Sequence, residues 1–171
     1  LSIDPTIGEA HAVIAQVNSG RGNLLDAESG FFFAISLEPN EPTPHHWYSI
    51  LLGRVGRLQL ALEQARRAQE LDPGSPIIAA NLANTYLMIG DDEQALRFNK
   101  LAADLGLGSR KSDVEASIAI RRGQWDDAKK LLSAQEQLPE KLRPLARRFV
   151  DALADPAEAS PRPRRSTALI R

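Results

Sequence analysis

Small and apolar positions along this chain return on a period of 34 residues. Ala27, Ala61 and Ala95 hold one phase, Ala34, Ala68 and Ala102 a second, and Gly22, Gly56 and Gly90 mark where each cycle turns. Pro5, Pro39 and Pro73 keep the same step. A fixed period of this length predicts a stack of similar helix pairs, because one pair cannot bury its apolar face alone and its neighbours complete the core. In each cycle a first helix is expected to end before the glycine, which favours a left-handed backbone, and a second to begin about two residues later. The proline has no amide hydrogen to continue that second helix. Ala15, Ser49, Ala83 and Ala116 precede the turns, and Ala27, Ala61, Ala95 and Ala128 follow them. Side chains this small let paired helices approach to about 8–10 Å.

The period divides the chain into repeats at 8–41, 42–75 and 76–108, followed by a degenerate fourth at 109–139 in which Gly123 falls one residue early. Leu1-Ser2-Ile3-Asp4-Pro5 runs in phase with Leu37-Glu38-Pro39 and Leu71-Asp72-Pro73. Residues 1–5 are therefore expected to end a preceding repeat of a longer or processed protein. Over 140–154, Leu142, Leu145, Phe149 and Leu153 recur at spacings of three and four, which predicts an amphipathic helix that caps the stack. Pro144 sets where its regular part starts. Residues 155–171 read as a basic, Pro/Arg-rich tail containing Ser160-Pro161-Arg162-Pro163-Arg164-Arg165.

These residues resemble the tetratricopeptide repeat. Its pattern is best filled by Ala83, Tyr86, Gly90, Ala95 and Ala102, and the second half of the first repeat matches with Gly22, Ala27, Phe31, Ala34 and Pro39. In the second repeat His45 holds the usual Trp position and Trp47 lies two residues later; in the fourth, Glu115 replaces the expected Leu. The resemblance implies an all-α fold, a right-handed α-solenoid of about four antiparallel helix pairs, with the first helix of each pair lining a concave face. On that face it places Gln16, then His46, Trp47, Ile50 and Arg54, then Asn81, Asn84, Leu87 and Met88, then Arg110, Ser117 and Arg121. Such a wall suits an extended peptide: Asn amides pair with backbone, Arg with a carboxylate, and Trp or Met with an apolar anchor. A lysine-based carboxylate grip is not expected, since Ala12, His46 and Ala80 occupy the lysine places. The run from Thr43 to Tyr48, with Gly56-Arg57 and Ala65 to Pro73, also resembles repeat regions of bacterial signalling proteins.

Other chemistry is weaker. His11, His45 and His46 raise the question of a metal, but adjacent helical residues diverge by about 100°, so His45 and His46 cannot face one ion together. Gly106 to Ser112 looks like a phosphate loop, yet no strand precedes it and the glycine–lysine order is wrong; a helix connection capped by Ser112 is expected. Of Phe31-Phe32-Phe33, Phe31 is expected in the core. There is no cysteine, Gly-x-Ser-x-Gly elbow or His-Glu-x-x-His motif, so neither enzyme activity nor a cofactor is expected.

The composition, 43% hydrophobic and 25% charged, is that of a globular chain, and no run of 18 apolar residues spans a membrane. With 5% aromatics, packing must rest on Ala and Leu. Charge is uneven: residues 1–140 hold 13 Lys and Arg against 19 Asp and Glu, whereas 141–171 hold 8 against 3. The tail is thus either a solvated linker or a dock for an acidic surface.

The expected function is a protein-interaction scaffold that binds a protein or peptide on the concave face, within a larger bacterial regulatory or assembly protein. A self-association module (a homo-oligomer) and an accessory region of an enzyme stand as alternatives. No nucleic-acid contact is expected from the repeats, and the cytoplasm is favoured over the periplasm.

Overall fold

The computed structural model describes residues 7–107, 111–133 and 140–155. Among them every regular element is helical. Two compact units divide the chain, one up to Val114 and one from Glu115. The first contains α1 (Gly8–Arg21), α2 (Leu24–Leu37), α3 (Pro42–Arg54), α4 (Leu58–Leu71), α5 (Pro76–Ile89) and α6 (Asp92–Asp104). Helix α7 (Lys111–Arg121) spans the division; α8 (Trp125–Ser133), a 3-10 turn at Glu140–Leu142 and α9 (Arg143–Ala154) follow.

Local chemistry sets the helix ends. Gly22 and Gly90 adopt φ of +84° and +96°, a region closed to side chains with a β-carbon except at a cost. That turn lets the next amide reach back: Asn23 N–H donates to the Asn18 carbonyl at 2.9 Å, Arg57 to Leu52 at 2.9 Å and Asp91 to Tyr86 at 3.0 Å. Pro42 and Pro76 sit in the first turns of α3 and α5, where a missing amide hydrogen costs nothing. Asp91 caps α6 by accepting from the Gln94 amide at 3.1 Å. Helix α7 starts at Lys111, so Ser112 lies inside its first turn and not before it. This corrects the expectation that Ser112 caps the connection, because a cap must be the last residue outside the helix.

In the first unit α1 packs on α2, α3 on α4 and α5 on α6; successive pairs meet through α2 with α3, α4 with α5, and between the first helices. Small residues lie at these crossings: Ala15, Ser49 and Ala83, and Ala27, Ala61 and Ala95, are all buried, as are Ala116 and Ala128 in the second unit. Ser49 satisfies its hydroxyl by donating to the His46 carbonyl at 2.6 Å. Phe31 is fully buried and packs on Tyr48, while Phe32 and Phe33 are exposed. In the second unit Ala119, Ala128 and Val150 form a core, and Lys129 Nζ lies 2.7 Å from Asp151. That hydrogen bond holds the Lys129 ammonium above its ordinary pKa. Leu1 to Pro5, Pro139 and the tail beyond Asp155 lie outside the described residues.

Candidate functional site

A groove of about 300 Å³ opens on the first unit, lined by His46 and Ile50 of α3, Ile77, Ala80, Asn81 and Asn84 of α5, and Leu107 beyond α6. Ile77, Asn81 and Asn84 share one face of α5 at spacings of four and three. Four sequence-predicted site residues therefore meet here, His46, Ile50, Asn81 and Asn84. Ile77, Ala80 and Leu107 complete the apolar wall and were not among the expected ligands; Ile77 could have been found from its place one turn before Asn81.

The polar groups of the groove differ in what they have left to offer. Asn81 Nδ2 donates to Ser49 Oγ at 2.6 Å, so this amide first ties α5 to α3. Asn84 is exposed and makes no hydrogen bond among the described residues. The His46 ring is buried with Nδ1 lacking a partner, and desolvation lowers its pKa, so the imidazole is neutral at pH 7. Among the described residues, none that lines the groove is charged.

The other expected residues lie elsewhere. Trp47 packs against the buried cluster of Ala15, Ala27, Phe31 and Leu51. Arg54 Nη1 donates to Ser19 Oγ at 3.1 Å, tying the end of α3 to α1. Gln16 is exposed on α1, and Leu87 is half-buried on α5. Met88 lies over α3, close enough that a β-carbon on Gly53 would meet its Cε at 2.9 Å. Ser117 and Arg121 are exposed in the second unit, and Arg110 is outside the described residues. His45 is engaged at both nitrogens, Nε2 with the Pro39 carbonyl at 3.1 Å and Nδ1 with Gln64 Oε1 at 2.6 Å. Since the carbonyl only accepts, Nε2 carries the proton, and a neutral ring then needs Gln64 to present its amide N–H to Nδ1. Its role is to join α3, α4 and the preceding turn.

Comparison with known proteins agrees with this architecture. A crystal structure of MamA protein superposes with a TM-score of 0.64 at 16% identity, covering 90% of this chain and 87% of that one. A structure of Pseudomonas aeruginosa pilF gives 0.64 at 16%, covering 91% and 77%. The fold is that of the tetratricopeptide repeat. A pentatricopeptide repeat-containing protein of Arabidopsis thaliana is 28% identical over 131 residues, 73% of this chain. This chain spans 19% of that protein's length. No family model matches the repeats. No described helix is long and apolar enough to cross a membrane.

Proposed function

We propose that the tetratricopeptide repeats are a non-catalytic interaction scaffold whose groove between α3 and α5 holds an extended, uncharged segment of a protein partner. The observation that carries this reading is the uncharged wall itself: Ile50, Ile77 and Leu107 beside the uncommitted Asn84 amide and the desolvated His46. Asn84 has both a donor and an acceptor to offer a peptide backbone. The volume lies at the small end for ligand sites, enough for one or two apolar side chains. The absence of a cation among the described lining residues favours protein over nucleic acid, whose binding is dominated by phosphate contacts. The module is proposed to serve a larger bacterial regulatory or assembly protein in the cytoplasm.

Peptides selected on the full chain from a displayed library test this, with affinities read by fluorescence anisotropy. Ile50→Arg is expected to abolish binding, and Asn84→Ala to weaken it about 3- to 10-fold, the worth of one exposed hydrogen bond. Arg121→Ala is expected to leave affinity unchanged. Binders indifferent to both groove substitutions would overturn the assignment.

A further inference from the structure

On the reading of the groove as a peptide site, we infer that His46 is its fixed hydrogen-bond donor and Asn81 its fixed acceptor. Together they hold the carbonyl and the N–H of one extended residue of the partner and set the direction in which its chain runs. A hydroxyl between them decides the roles. Ser49 is buried, and its one hydrogen goes to the His46 carbonyl at 2.6 Å. Its oxygen can then only accept from Asn81, whose Nδ2 lies 2.6 Å away. The flipped amide would set the Asn81 oxygen against a hydroxyl with no hydrogen left to give. Asn81 Oδ1 is therefore the atom left over, without a hydrogen bond among the described residues, and it stands as an acceptor on the groove wall.

The His46 ring is fixed in a similar way. The residue is 8% exposed, neither ring nitrogen has a partner among the described residues, and only Nδ1 is shut off from solvent. A neutral imidazole carries one N–H. On Nδ1 it would be a buried donor without an acceptor, which proteins tolerate less than an unfilled acceptor. The hydrogen therefore sits on Nε2 and is offered to the groove. Folding alone does not require this arrangement. Helices α1 and α3 also meet, and there the equivalent positions are Ala12, Ala15 and Trp47, which supply no such pair. A histidine buried with an orphan nitrogen costs stability that an alanine would not. In an extended chain the N–H and C=O of one residue point to the same edge, as they do toward a paired strand. With its N–H on Asn81 of α5 and its carbonyl on His46 of α3, the segment runs from α5 toward α3, amino end first. Its apolar side chain is left to Ile50, Ile77 and Leu107.

Nitrogen-15 NMR of the imidazoles in the free full chain provides the first test. His46 should show a bare Nδ1 and a protonated Nε2; the opposite tautomer overturns the inference without touching the peptide reading of the groove. The second test uses selected peptides whose binding Ile50→Arg abolishes. N-methylation along such a peptide should weaken binding to the wild type about tenfold at one position, and a backbone ester that dulls the carbonyl of the same residue should also weaken it. Against Asn81→Leu the methyl group should cost nothing further, and against His46→Phe the ester should cost nothing further. The wild-type scan decides by itself should either variant fail to fold. A nitroxide on the carboxy end of the peptide should broaden amides of α1 and α3 more than one on the amino end. Losses that simply add in these pairings, a reversed nitroxide pattern, or peptides indifferent to both backbone changes would each overturn the donor–acceptor pair and leave the groove as an apolar slot. If no selected peptide responds to Ile50→Arg, the peptide reading itself falls and the pair with it.

Discussion

At one repeat position α2 carries Gly30, α4 Gln64 and α6 Phe98, and each makes a different join within its pair. Phe98 stacks on Tyr86 with ring centroids 5.6 Å apart, and Gln64 bonds His45 at 2.6 Å. Gly30 makes room for α1: a β-carbon there would stand 2.9 Å from Ala15 Cβ, which cannot swing away. Gly30→Ala sets two effects against each other. Helix propensity gains up to about 1 kcal/mol, while overpacking costs about 1–3 kcal/mol. The clash is expected to win by about 1 kcal/mol, read as a lower urea midpoint; a higher midpoint would show that α1 and α2 separate freely. His46 gives a second test at this scale. Burial depresses its folded pKa below the unfolded value of 6.5. Between those two values the unfolded chain binds the extra proton, so stability is full above 6.5 and falls as pH drops toward the folded pKa. One such group gives a slope of at most about 1.4 kcal/mol per pH unit. Urea melts at successive pH values should show a flatter dependence for His46→Gln than for the wild type in that window.

Between elements, polar bonds hold one helix pair to the next. Glu28 of α2 accepts from Tyr48 of α3 at 3.1 Å and pairs with Arg57, the residue before α4. Burial, followed by the Glu28 hydrogen bond, holds the Tyr48 hydroxyl above its ordinary pKa. Glu28→Ala should therefore move the Tyr48 titration back toward 10, seen by ultraviolet absorbance. It should cost about 1 kcal/mol of stability, a modest figure because Arg57 is mostly in solvent. An unchanged Tyr48 titration would remove Glu28 from this role. Such bonds explain what the sequence shows and what it hides. The turns at Gly22 and Gly90 and the burial of Ala27 and Ala61 follow from local rules repeated every cycle, so the repeat fold is legible from the period. The commitments of Asn81 to Ser49 and of Arg54 to Ser19 join residues 32 and 35 apart in the chain. Periodicity places those side chains on a face without revealing that a neighbouring pair already uses them. Pro42 and Pro76 were legible too, being 34 apart, but a search for prolines that end helices passes over prolines that open them.

At the scale of the molecule, the repeat pattern loosens around the place where the compact units divide. The first unit rests on near-identical cycles, in which the same alanine positions are buried each time. The second has Glu115 where an apolar residue is expected, and its core gathers around Ala119, Ala128 and Val150. Val150 comes from α9, outside any repeat, so this core depends on a helix that the period does not supply. In a quasi-linear array, stability is a sum of local terms and neighbouring contacts, and separate units can open separately. Val150 is fully buried, and truncating it to alanine removes about two methylene equivalents and leaves a cavity, a loss of about 2 kcal/mol. Hydrogen exchange on Val150→Ala should then show faster exchange of α8 and α9 amides by about 30-fold, the Boltzmann equivalent of that loss. Amides of α3 and α5, which build the groove, should keep their wild-type rates, and selected peptides their affinity. Equal acceleration in both sets of helices would mean that the chain opens as one cooperative body, and that the integrity of the groove depends on a residue more than sixty positions beyond its last polar ligand, Asn84.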